Sequence, residues 1–491
     1  MINVLLQNVS PRNFSHGSVP FSFFPSEDRF VSAKSMTSGS PFRILLSFAL
    51  PLMAGNVFQQ LYTMVDSMVV GKVLGLSALA AVGNGEWLNW LVLSMIQGFT
   101  QGFSIRLAQD FGANDTESLK NTYAVSRRLS AFCTVGILLF AFLTLRPILT
   151  LLKTPSEIFP MSVSYLSVIF AGIPIVMAYN FYASVLRALG DSKTPLRAMA
   201  AASACNVALD LLFVIVFHWG IAGAAAATLI GQTLSALVCR RALRKFQMLR
   251  EAKSEAGDFR NTAAALLRLA TPFVFQNTII AVGGLVVQFV INGYGVLYIA
   301  GFTATNKLYG ILEMAATSYG FALTTYVGQN YGAGEIPRIG KGVHTGAVMG
   351  IVTAGLIGLA MLLVGKHIVG AFISGPPEDA AASLEIAYHY LSVMAAFLPI
   401  LYILHIYRSS LQGLGNTVMP MVSGAVELVM RVGTVFLLPR LVGSEGLFWA
   451  EVLAWVGADV VLLLSYYIQI SKIKNAWRKE GSGRTSLRDE A

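Results

Sequence analysis

Tyr182-Ala183-Ser184-Val185-Leu186-Arg187-Ala188-Leu189-Gly190-Asp191-Ser192-Lys193-Thr194-Pro195 is answered later in the chain by Tyr407-Arg408-Ser409-Ser410-Leu411-Gln412-Gly413-Leu414-Gly415-Asn416, with Pro420 beyond. Tyr, Ser, Leu, Leu, Gly and Pro recur at one offset of 225 residues. Two echoes lie upstream. Leu45-Leu46 with Pro51 matches Leu266-Leu267 with Pro272 at an offset of 221, and Gln109 with Gly112-Ala113 matches Gln329 with Gly332-Ala333 at 220. The repeat covers nearly all of the 491 residues and predicts two halves of one architecture. In a membrane protein, a duplicated helical bundle is the usual scaffold for moving a solute by rocking one half against the other.

Composition places the chain in a bilayer. Hydrophobic residues make up 55% and charged residues 12%, with a mean hydropathy of +0.64, where soluble domains carry roughly 25% charged residues. Apolar stretches long enough to cross the hydrocarbon core read at about 43–66, 77–105, 123–150, 159–186, 196–218, 221–245, 264–291, 297–328, 343–370, 383–412, 417–442 and 445–471. The expected fold is therefore an all-α polytopic membrane protein of about twelve transmembrane helices in two pseudo-symmetric six-helix lobes. Of the 35 Lys and Arg, 28 flank the side that holds the N-terminus and 5 (Lys72, Arg146, Lys153, Lys366, Arg440) the opposite side, with Lys307 and Arg431 inside spans. This bias predicts an even number of spans with both termini cytoplasmic. It also accounts for the net charge of +10, so the basic balance does not point to nucleic acid.

The expected organisation is a tail over 1–40, an N-lobe over 41–245, a polar cytoplasmic linker over 246–262, a C-lobe over 263–471 and a basic tail over 472–491. Residues 1–40 do not read as a signal peptide. They read as a disordered tail or as sequence ahead of a start at Met36. Cys133, Cys205 and Cys239 show neither a disulfide framework nor zinc spacing.

A charge inside a span costs at least about 2.5–3.5 kcal/mol at the helix centre by insertion scales, so each one asks for a reason. Span one carries Gln59 and Asp66, two helical turns apart on one face. Span five carries Asn206 and Asp210, one turn apart in an otherwise apolar helix. A carboxylate stacked on an amide carbonyl supplies oxygens for a hard cation, or a carboxyl able to carry a proton. The competing reading is a polar pair that holds helices together. Asn180 in span four and Thr228 in span six complete such a site if the helices converge. In the second half, Glu427 and Arg431 form an i, i+4 pair, and Arg431 stands at the position equivalent to Asn206. That places the expected cation site in the first half. Pro51, Pro174, Pro272 and Pro399 fall inside spans, either as static kinks or as points of bending.

The residues resemble the multidrug and toxic compound extrusion (MATE) family of bacterial type. The resemblance rests on Met64-Val65-Asp66 through Gly71, Ala78-Leu79-Ala80-Ala81-Val82-Gly83, Gln109 with Gly112-Ala113, and Leu186 to Pro195, and it covers about residues 41–470. It implies a V-shaped pair of lobes around a central cavity, and export of drugs or organic, often cationic, metabolites driven by inward Na+ or H+. In the DinF-like branch, to which the chain is more similar, the coupling residues look like Asp66, Asn180, Asn206, Asp210 and Thr228 here. The NorM-like branch adds carboxylates on helices seven and ten. This sequence has Gln276, Asn277 and Gln288 in span seven and His389, His405 and Arg408 in span ten, with Glu385 at its edge. Gln59, Gln276, Asn277, Gln288 and Arg431 are therefore candidates for the cavity. No cofactor is expected beyond the coupling ion, and no resident metal. The expected partners are a small-molecule substrate and the lipid bilayer, with no nucleic acid, for a monomer in the inner (plasma) membrane. The alternatives are a flippase for lipid-linked oligosaccharides of the same superfamily and, from another class, a polytopic membrane enzyme, against which no HExxH motif appears.

Overall fold

Each copy of the repeated motif is a helix stop followed by a helix start. Gly190 and Gly415 adopt φ of 85° and 83°, the left-handed conformation that ends a helix without a Cβ penalty. The amides after them return to Leu186 O at 2.9 Å and Leu411 O at 3.0 Å. The next side chain opens the following helix: Asp191 accepts from the Lys193 and Thr194 amides at 3.0 Å, and Asn416 from the Met419 amide at 3.1 Å. This is why the motif keeps Leu, Leu, Gly and an Asp or Asn in order.

The computed structural model describes residues 34–151, 154–250, 256–373 and 376–489. Its elements are α1 (Pro41–Val69), α2 (Leu76–Gly112), α3 (Thr116–Leu151), α4 (Phe159–Ala171), α5 (Ile173–Ala188), α6 (Lys193–Asp210), α7 (Gly220–Leu243), the short α8 (Gln247–Arg250), α9 (Ala256–Asn292), α10 (Val296–Gly332), α11 (Ile336–Gly370), α12 (Pro377–Ala396), α13 (Leu398–Gly413), α14 (Val418–Val442), the short α15 (Glu445–Phe448) and α16 (Ala450–Asp489). Among the described residues, eight helices are long and apolar enough to cross a membrane, and two bent pairs qualify together: α4 with α5 at 46° and α12 with α13 at 51°. Pro174 and Pro399 lie in the first turn after each break, where a missing amide proton costs nothing. Pro51 and Pro272 are inside unbroken helices. The helices α2 and α10, of 37 residues each, are long enough but carry polar residues through their middles, among them Glu86, Asn89 and Gln97 in α2 and Asn306, Lys307 and Glu313 in α10.

The lobes exchange partners. The first half of α1 (Ile44, Leu45, Phe48, Ala49, Leu52) packs into the core of α10 to α13. The first half of α9 (Ala263, Leu266, Ala270) packs with Phe103 of α2 and Val125 and Leu129 of α3. The duplicated Leu45 and Leu266 are the buried anchors of these crossings. Where α2 meets α10, a Cβ on Gly112 would overlap the Gln329 carbonyl, and one on Gly332 would overlap the Gln109 carbonyl. The glutamines then reach across: Gln109 Nε2 donates to Gly413 O at 3.1 Å and Gln329 Nε2 to Ala188 O at 2.8 Å. From this end, interlobe hydrogen bonds continue about half-way along the helices, to Asn277–Ser94 at 3.3 Å and Asn56–Ser318 at 3.4 Å. Beyond them, α1 and α9 expose apolar side chains such as Met64, Met68, Val282 and Phe289. The lobes are tied over the half that carries residue 34, here called the termini side.

Residues 34–40, read from sequence as the end of a tail, pack between the lobes. The Lys34 amide donates to Leu189 O at 3.2 Å and the Met36 amide to Gln329 Oε1 at 2.8 Å. Met36 O accepts from Asn330 at 3.2 Å and Arg338 at 3.3 Å, and Arg338 also reaches Gly39 O at 3.0 Å. Met36 is 1% exposed. The rest of the expected tail, and residues 251–255 of the expected linker, lie outside the described residues. The expected basic tail continues α16 as helix to Asp489.

Gly112→Ala or Gly332→Ala should lower stability by about 1–3 kcal/mol, the usual effect of overpacking. Thermal unfolding in detergent would show a lower midpoint. Gly355→Ala, where a Cβ meets nothing within 4 Å, should leave the midpoint unchanged or slightly raised.

Candidate functional site

Both α1 and α6 loosen just past an aspartate. A π-helical turn, Val70–Leu74, begins one turn after Asp66, and another, Leu211–Val216, follows Asp210 directly. Such turns shift the backbone hydrogen-bond register and concentrate at functional sites. The two turns touch each other, so the helices converge where the carboxylates stand. Beside them α6 and α7 pack closely, with Gly231 facing Ala202 O and the Asn206 Cβ. Asn206 Nδ2 donates to Thr228 Oγ1 at 3.5 Å.

Asp66 is 8% exposed, Asn206 3% and Asp210 0%. Asp66 Oδ1, Asn206 Oδ1 and both carboxylate oxygens of Asp210 are sealed from solvent without a hydrogen-bond partner, as is Gln232 Oε1. Asp66 and Asp210 lie within electrostatic reach of one another, and Tyr62 and Tyr165 lie within electrostatic reach of both. Two buried carboxylates without donors repel each other and lose their hydration. Such a pair is stable when it shares a cation or carries a proton. Two carboxylates, an amide oxygen and a hydroxyl are hard oxygen donors of the kind an alkali cation takes.

The other expected residues disperse. Asn180 is half-buried and donates to Val176 O of its own helix at 2.9 Å. Gln59 lies on α1 two turns from Asp66 and is half-buried. Gln276 is buried and accepts from Gln412 at 3.3 Å, while Asn277 bonds Ser94 across the lobe contact. Gln288 donates to Asn292 of its own helix at 2.8 Å in an exposed position. Arg431, expected as a positive charge opposite Asn206, is neutralised: it contacts Glu427 at 3.0 Å and Glu451 at 2.7 Å, and Glu427 also holds Arg408 at 2.9 Å. Its Nη1 donates to Ile280 O at 3.4 Å. Nearby, His405 contacts Glu313 at 3.2 Å. His389 pairs with Glu445 at 2.8 Å, half-exposed at the far end. Lys307 sits 5.6 Å from the Phe372 ring centroid, and Glu86 is exposed.

A family model described as MatE matches residues 51–212 and 272–437, one match in each lobe. The chain belongs to the MatE family. It is similar to the probable multidrug resistance protein YpnP of Bacillus subtilis, at 31% identity over 85% of this chain and 93% of that protein. To the probable multidrug resistance protein YoeA of the same organism it is 26% identical over 92% and 99%. Among solved structures, a MOP superfamily transporter from Pyrococcus furiosus superposes with a TM-score of 0.83 at 22% identity, over 89% of this chain and 98% of that one. MatE membership and the apolar helices make this a multi-pass membrane protein. The two MatE matches stop at 212 and 437, so Thr228 and Glu451 lie outside them.

Sequence reasoning missed Glu451, and also Asp459, a buried α16 residue whose Oδ1 has no partner. Their spacing of eight residues is a same-face signal in an apolar helix. Tyr62 and Gln232 were within reach too, each one turn from a residue already singled out. Nothing in the sequence marks Tyr165.

Arg431→Met should destabilise the protein by about 3–5 kcal/mol, since it strands buried carboxylates. Adding Glu451→Gln should recover part of the loss in unfolding midpoint. A lone Arg431→Met as stable as the parent would contradict the pairing.

Proposed function

We propose that the protein is a secondary antiporter that exports drugs or organic, often cationic, metabolites in exchange for Na+ or H+ entering at Asp66, Asn206, Asp210 and Thr228. One observation carries this reading: four oxygens on α1 and α6, from Asp66, Asn206 and Asp210, are buried without a protein donor, beside two touching π turns. The multidrug names of the relatives support the substrate class. The 28-to-5 split of basic residues supports both termini in the cytoplasm, with the chain in the inner (plasma) membrane. On that orientation the lobes are tied at the cytoplasmic end and the structure is the outward-facing state. Each chain holds both lobes and its own carboxylate pair, in keeping with a monomer that transports and does not catalyse a reaction.

The coupling follows from differential binding. A ligand shifts a conformational equilibrium only by its preference for one state over the other. A cation or proton at Asp66 and Asp210 removes their repulsion and lets α1 and α6 close at the π turns. The α1 helix is also the one whose first half is packed into the C-lobe, so a change at Asp66 is felt at the lobe contact.

The test is uptake or release of a fluorescent organic cation in proteoliposomes under separate Na+ and H+ gradients. Transport should follow one of the two gradients. Asp66→Asn and Asp210→Asn should each reduce gradient-driven transport to the rate seen without a gradient, while the unfolding midpoint stays at or above that of the parent. Full gradient-driven transport by both variants would overturn the mechanism.

A further inference from the structure

On the termini side of the N-lobe, away from the carboxylate pair, α3, α5, α7 and α8 enclose a cavity of about 510 Å³. Arg127, Arg240 and Arg244 line it with Tyr123 and Tyr182, and Leu243 and Leu249 form its apolar floor. Two ridges meet here: Tyr123 and Arg127 are one turn apart on α3, and Arg240 in the last turn of α7 stands four residues before Arg244, which caps that helix. The Tyr123 hydroxyl stands in the field of both Arg127 and Arg240. The Tyr123 ring stacks on Phe181 with centroids 5.9 Å apart, which holds the phenol in place.

Some other basic side chains on this side are engaged. Arg106 pairs with Asp110 at 2.9 Å, Arg128 and Arg187 lie over the rings of Phe259 and Phe321, and Arg338 holds Asn330. Among the described residues, none of the salt bridges involves Arg127, Arg240 or Arg244. Three like charges converging on one cavity repel unless an anion joins them. Guanidinium groups match phosphate oxygens in a fork geometry, and phenol hydroxyls add donors. Basic pockets between helix ends are where anionic lipid headgroups bind.

We propose that this cavity binds a phosphate group, carried by an anionic phospholipid of the termini-side leaflet. The phosphate lies between the three arginines, and the lipid's glycerol end rests on Leu243 and Leu249. Occupancy ties α3 to α7 at the point where the chain leaves the N-lobe through α8.

The protein is reconstituted in nanodiscs of phosphatidylcholine alone, of phosphatidylcholine with phosphatidylglycerol, and of phosphatidylcholine with millimolar inorganic phosphate in the buffer. The unfolding midpoint and the lipid retained in native mass spectrometry are then read. Phosphatidylglycerol should raise the midpoint and be retained in preference. Arg240→Gln with Arg244→Gln should reduce the preference about fivefold per neutralised arginine, and Arg240→Lys with Arg244→Lys should keep much of it. An equal gain from inorganic phosphate would support the phosphate site and name free phosphate as its source. An unchanged lipid preference in the glutamine variant, or the same loss from Lys472→Gln with Lys474→Gln on the same side, would overturn the site in favour of diffuse surface charge.

Discussion

Everything else in this molecule hangs on the crossing of α2 and α10. Gly112 and Gly332 bring the two backbones into contact, and the neighbouring Gln109 and Gln329 use that closeness to reach Gly413 O and Ala188 O, at the ends of α13 and α5. The last carbonyls of a helix have no partner within it. Each lobe therefore completes a helix end of the other. The arrangement is reciprocal, which explains why the sequence repeats these residues: a contact on a pseudo-two-fold axis needs the same chemistry from both sides.

Away from the axis the lobes diverge in how they treat buried charge. The N-lobe leaves Asp66 and Asp210 without donors and relaxes two helices beside them. The C-lobe links Arg408, Glu427, Arg431 and Glu451 into one chain of ion pairs. Breaking a buried pair is costly because it strands a charge, so that network rigidifies its lobe. A carboxylate pair with no protein partner has its stability set by what it binds. One half of the duplicated scaffold braces its buried charges against one another, and the other leaves its carboxylates without a protein donor.

How legible this was depends on the kind of signal. Helices from Pro41 to Val442 were readable because span length and apolarity are composition, and composition survives in one dimension. The framework residues from Leu45 to Pro420 were readable because they recur. Asp66, Asn206 and Asp210 were conspicuous because charge is rare in apolar helices, and Thr228 entered through the resemblance and the helical neighbourhood. The π turns after Asp66 and Asp210 were invisible, since a shift in backbone register leaves no residue pattern. The partners of Asn277 and Gln288 were not legible for the opposite reason: a polar residue in a span advertises a hydrogen bond but not its partner, and theirs are Ser94 and Asn292. Arg431 was paired with Glu427 from its i, i+4 spacing, but its second partner Glu451 was hidden because it sits 20 residues away on another helix.

The segment from Lys34 to Gly39 carries a consequence for anyone handling the protein. It is bonded to Leu189 in one lobe and to Gln329, Asn330 and Arg338 in the other. Each net hydrogen bond contributes about 1 kcal/mol, so the four bonds to the second lobe together favour the closed contact at this end by about 4 kcal/mol, roughly three orders of magnitude in an equilibrium constant. An affinity tag or fluorescent reporter fused to this segment would thus bear directly on the contacts that join the two lobes here. Rates measured with and without one describe two differently biased machines.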